Sequence, residues 1–204
     1  VDRALEPFGG DRLEHVVDRV EIERLDRETV VRGNEDDCRR IRAAAQAARE
    51  AGRLELIEGG ELAPLPSPAS GIGPISGREA SAAELLAAVG APASCGPQLE
   101  QGFAWAASLP PAAAIMPQGM VVRAAGADTA GCTLRLIRYH TPAAGADVLE
   151  YHYTRAVRAG LQPLRYAEGG ESLAARAAGG EGWAVAVRDA ANGLTEVDLL
   201  YRAP

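Results

Sequence analysis

The 204-residue chain contains no lysine: all 21 of its basic residues are arginine. Schiff-base chemistry and a phosphate loop with its lysine are therefore excluded. Aromatic residues are only 4% of the chain, too few to build a stacking platform for nucleic-acid bases. No apolar run approaches the roughly 18 residues of a membrane-spanning helix. There are three cysteines, none in a C-x-x-C pair, so a zinc ribbon or a thioredoxin-like site is unsupported. The formal net charge is −7, which argues against a nucleic acid or an anionic membrane as main partner.

What is present is an ordinary globular composition, 47% hydrophobic and 24% charged, rich in alanine and glycine. Charge is uneven. Residues 1–60 carry a net −4, residues 61–130 a net −3, and residues 131–204 balance to zero. The chain begins at Val1 with no positively flanked apolar segment, which reads as a mature or trimmed chain from which a signal peptide could have been removed. Cys95 and Cys132 lie in glycine-rich surroundings and could form one disulfide, leaving Cys38 over. Such a bridge would imply an oxidising compartment. The alternative is three free thiols acting as small hydrophobes.

Three regions follow: a charged, partly helical region over 1–58, a Pro/Gly/Ser linker over 59–78, and an α+β domain over 79–204 whose regular core spans 118–204. In the first, Leu13, Val16, Val17 and Val20 have helical spacing, and Val20 to Leu25 alternates ambiguously. Asn34 before Glu35, Asp36 and Asp37 reads as an N-cap with an acidic first turn, opening a helix over about 35–51 that Gly52 ends. Ile41 is its only large aliphatic, so little burial is expected of it. Ser81 and Glu84 form a capping box before a short helix closed by Gly90 and Pro92. Residues 97–117 resist assignment, although Phe103, Trp105 and Leu109 could cap a core from a loop.

From Met120 the pattern becomes regular. Val121–Ala124 and Thr133–His140 read as strands. A helix over 142–159 starts at Thr141-Pro142, with Val148, Leu149, His152, Tyr153, Ala156 and Val157 on one stripe. Strands follow over 161–166 and 172–176, then through Trp183, Val185 and Val187. Asn192-Gly193 turns the chain into a last strand through Val197, Leu199 and Tyr201. The order β-β-α-β-β-β-β predicts a two-layer α+β domain, an antiparallel sheet covered by one main helix. The other sheet face is expected to be solvated and to show Arg135, Arg188, Glu196 and Asp198 as opposite charges on neighbouring strands.

Few residues suggest chemistry. Gly71, Gly73 and Gly77 are spaced G-x-G-x-x-x-G, with no strand before them and Pro74 inside, so they read as a loop rather than a dinucleotide site. No G-x-S-x-G elbow exists. Cys38 lies near a helix start, but Asp36 and Asp37 beside it oppose a reactive thiolate. The acidic run at 35–37 lacks the alternating ligands and central glycine of a calcium loop. The one titratable cluster of interest is Tyr139, His140, Tyr151, His152 and Tyr153, a candidate ligand pocket between helix 142–159 and the sheet. Two histidines with no converging carboxylate, and His15 far away in sequence, do not make a metal site, so neither metal nor cofactor is expected.

The segments CTLRLIRYHTPA, VLEYHYTRAVRAG and WAVAVRD…GLTEVDLLYR, within about 115–202, resemble a group of small uncharacterised envelope proteins from GC-rich proteobacteria. The resemblance implies a secreted or lipid-anchored module, in agreement with a Cys95–Cys132 bridge, and carries over no functional residues. The expected function is a non-enzymatic, periplasmic or secreted module that binds a protein or acts as a structural accessory, with self-association through the N-terminal region as a further route to partners. The alternative is a small-molecule-binding protein or small hydrolase-like enzyme using the Tyr/His pocket.

Overall fold

The computed structural model describes residues 35–57, 62–75 and 80–204. The helical spacing at 13–20, the alternation at 20–25, the Asn34 cap, Gly77 and His15 lie outside the described residues. The fold is α+β. Among the described residues seven strands, β1 (Glu100–Gln101), β2 (Met120–Thr129), β3 (Cys132–Thr141), β4 (Leu164–Tyr166), β5 (Ser172–Arg176), β6 (Gly182–Asp189) and β7 (Thr195–Arg202), form one sheet in the order β1-β2-β3-β7-β6-β5-β4. Every neighbouring pair is antiparallel. Among the described residues the α-helices are α1 (Glu35–Ile57), α2 (Ala82–Ala88), α3 (Ala104–Ala107) and α4 (Gly145–Arg158). Helix α4 carries the chain from β3 to the far edge strand β4, and the meander β4-β5-β6-β7 returns to pair with β3.

The period-two alternation of the strands assigns each face. Ile137, Tyr139, Val197, Leu199, Trp183, Val185 and Leu173 pack under α4 together with Val148, Leu149, Tyr151 and Ala156. Helix α1 adds Ala48 and Leu56 to this layer. It runs on through Gly52 to Ile57, beyond the expected stop. Gly52 does not end the helix because it is the point of closest approach: a Cβ there would stand 2.9 Å from Met116 Cε and 3.4 Å from the Tyr151 ring. Arg158 of α4 donates to the Leu56 carbonyl at 2.8 Å, and Arg49 pairs with Asp147 at 2.9 Å.

The opposite face departs from the expected solvated surface. Leu134, Leu200, Ala184 and Ala186 present an apolar half, which α2 and a 3-10 turn over Ala93–Gln98 cover through Leu86, Val89 and Cys95. The Cys95–Cys132 disulfide, with Cα atoms 5.5 Å apart, ties this cover to the start of β3. The capping box of α2 forms as read: Glu84 N–H donates to Ser81 Oγ at 3.3 Å, and Ser81 N–H donates to Glu84 Oε2 at 2.7 Å. Arg135 is not on that face at all. It lies buried on the helix side, 4.6 Å below the Trp105 ring, donating to Asp128, Ser108 and two backbone carbonyls. Its odd-numbered position places it with Ile137 and Tyr139, and a Cβ at Gly126 would come 2.6 Å from Trp105, so the missing side chain there makes room for the indole.

Much of the proline-rich segment read as a linker runs along the molecule. Ala63 N–H donates to the Thr154 hydroxyl of α4, Ala69 N–H donates to the Arg165 carbonyl on the β4 edge, and Ile75 is buried with α2.

Candidate functional site

Tyr139, near the C-terminal end of β3, and His152, in the middle of α4, face each other because one points up from the sheet and the other down from the helix. The Tyr139 hydroxyl and His152 Nε2 are 2.6 Å apart, both fully buried. Tyr151 meets the imidazole edge-on at 5.2 Å, and the Trp183 ring centroid stands 6.4 Å away. Burial pushes the His152 imidazole down to about 3, with the nearby Arg155 charge acting in the same direction, so it is neutral. Burial also raises the Tyr139 and Tyr151 phenols. His152 Nδ1 and Trp183 Nε1 are buried without hydrogen-bond partners among the described residues. Tyr151 reaches toward α1: its hydroxyl donates to Glu55 at 3.0 Å and accepts from Arg155 at 3.0 Å, while Arg155 also pairs with Glu55 and donates to the Pro111 carbonyl at 2.6 Å. Tyr153 is partly buried against the same core.

The five residues of the sequence-based cluster thus divide. Tyr139, Tyr151 and His152 meet in the core, Tyr153 borders it, and His140 points through the opposite face of the sheet. Fully buried and neutral, the His152 imidazole holds the Tyr139 hydroxyl in register with α4.

His140 belongs to a second constellation. On the face opposite α4, beyond the cover of α2, β3 and β7 place Arg138 opposite Asp198 and His140 opposite Glu196. Arg138 binds Asp198 through two bonds of 2.7 and 3.1 Å. Arg188 reaches from β6 to Glu196 at 2.6 Å and Asp198 at 2.5 Å. His140 Nε2 lies 3.0 Å from Glu196. Partial burial works against ionisation of Glu196, but the His140 hydrogen bond and the two guanidinium groups hold its carboxyl below the usual range. Arg138 was missed in the sequence; once β3 and β7 are paired, its position across from Asp198 is the signal. The group is balanced internally, two arginines against two carboxylates, and leaves no guanidinium directed at a ligand.

A cavity of about 280 Å³ opens between the start of α4 and the adjoining ends of β6 and β7. Leu65, Leu149 and Val187 line it, with the small residues Gly145 and Ala146 at the helix start. Its polar lining comprises Arg165, Glu171, Arg188, Asp189 and Thr195. None of the five Tyr/His residues lines it.

In comparisons with known proteins, no family model matches this chain, and no curated protein or solved structure is significantly similar to it. Among the described residues, no group of three His, Cys, Asp or Glu side chains is placed to hold a metal ion, and no helix is long and apolar enough to cross a membrane. Cys38 is exposed on α1 and outside any disulfide.

Proposed function

We propose that the chain is a non-enzymatic module of a bacterial envelope, periplasmic or secreted, with a protein-binding or structural role. The observation that carries this reading is the use of Tyr139, Tyr151 and His152 as core: the side chains best suited to catalysis are committed to packing and to each other. The compartment is supported by the Cys95–Cys132 bridge, since buried disulfides persist where the surroundings are oxidising. A small-molecule reading draws support from a separate observation, the cavity at the start of α4, which lies in the helix–sheet layer but away from the aromatic cluster.

The test pairs two assays. Purified protein is expected to show no turnover of short-chain p-nitrophenyl esters that tracks with the folded state. Turnover that co-purifies with the protein and disappears in His140→Gln overturns the non-enzymatic reading. Alkylation trapping in the native host, read by mass spectrometry, is expected to find Cys95 and Cys132 linked in cells; finding both as thiols overturns the envelope assignment.

A further inference from the structure

We propose that the cavity between α4 and the ends of β6 and β7 is a site for an alkylammonium or alkylguanidinium group, the chemistry of a lysine or arginine side chain or of a free aliphatic amine. The argument is one of charge. Arg165 and Glu171 neutralise each other through two bonds of 3.0 and 2.9 Å. Arg188 is also part of the cavity wall, but its guanidinium is held by Glu196 and Asp198 on the opposite face of the sheet. The Thr195 hydroxyl donates to the Ala143 carbonyl at 2.7 Å. That leaves Asp189, exposed at the end of β6 and part of the cavity wall, with no hydrogen bond or ion pair to its side chain among the described residues. A single negative charge beside the apolar side chains of Leu65, Leu149 and Val187 matches a ligand with one cationic head and a short aliphatic stem. The partly positive end of the α4 dipole works against a cation at this cavity, so the Asp189 charge must outweigh it. Asp147, in the first turn and paired with Arg49, is the carboxylate already set against that end.

A partner's side chain as the source rests on the binding-module reading; a free amine does not. The two sources are separated by the probes, agmatine and the blocked tripeptide acetyl-Gly-Arg-Gly-amide, titrated into the ¹⁵N-labelled full chain. Ligands of so few atoms are expected to bind with Kd on the order of millimolar. Saturable shifts of the Gly145, Ala146 and Val187 amides, weakened at least about fivefold in Asp189→Asn, support the site. Tighter tripeptide than agmatine binding assigns it to a protein partner; the reverse order assigns it to a free amine and counts against the module reading while leaving the cation site intact. Absence of saturable shifts, equal binding by Asp189→Asn with its fold unchanged by circular dichroism, or tighter binding of butyrate than of either cation overturns the proposal.

Discussion

His152 has an ordinary value of 6.5 and is held down to about 3 in the fold. Between those values the unfolded chain binds a proton that the folded chain refuses. The neutral buried imidazole therefore costs nothing above pH 6.5 and lowers stability as pH falls toward 3, by up to about 1.4 kcal/mol per unit. Urea unfolding at pH 7 and pH 4.5 is expected to show this as a loss of about 2–3 kcal/mol that is absent from the double variant Tyr139→Phe with His152→Leu. Both partners of the buried hydrogen bond leave together in that variant, so its stability at pH 7 should change far less than that of either single variant. Equal acid losses in the native protein and the double variant would remove His152 as the cause. At this scale the sequence was informative about residue type and spacing. The pairing of Tyr139 with His152 was within its cluster, but the separation of Tyr139 from His140 by the sheet followed from strand alternation that the cluster reading did not apply.

Among the elements, the contact between β6 and the end of α2 depends on one missing side chain. A Cβ at Gly182 would stand 2.1 Å from the Val89 carbonyl oxygen, and backbone cannot yield as a side-chain tip can. Gly182→Ala is expected to destabilise by about 1–3 kcal/mol in chemical denaturation, the range for forcing atoms into a packed interior. An unchanged midpoint would mean that α2 can lift from the sheet freely. The elements from β2 to β7 were legible because each combines a period with a stop. Thr133–His140 alternates, α4 has an apolar stripe ended by Gly160, and Asn192-Gly193 turns the last hairpin. The short helix α2 was legible from its capping box, but its placement with the rest of the cover over the second face was not. The residues of that cover come from a short helix, a 3-10 turn and a proline-rich loop, none of which has a period, and the apolar positions they cover include small alanines.

For the whole molecule, the Cys95–Cys132 bridge closes a loop of sequence separation 37 and holds that cover to the sheet. Loop-closure entropy gives its removal a cost of about 3–4 kcal/mol. Reduction with dithiothreitol, or Cys95→Ser with Cys132→Ser, is expected to lower the unfolding free energy by that amount while leaving the α4 layer folded, as followed by Trp183 fluorescence. A negligible change would show that the cover is held by packing alone.

The chain by itself determined, through its lack of lysine, of C-x-x-C pairs and of a G-x-G-x-x-G motif, which lysine, zinc-ribbon and dinucleotide-loop chemistries it does not carry, and it determined the order of the regular elements from β2 to β7, because composition and periodicity are local. Tertiary structure decided the rest. It placed Arg135 under Trp105 on the helix face and closed Tyr139 and His152 into the core. It also balanced Arg138 and Arg188 against Asp198 and Glu196, and left Asp189 beside a cavity. Each of these depends on which strand neighbours which, and a crossover that carries the chain from β3 to the far edge of the sheet joins residues some sixty positions apart that no local pattern relates.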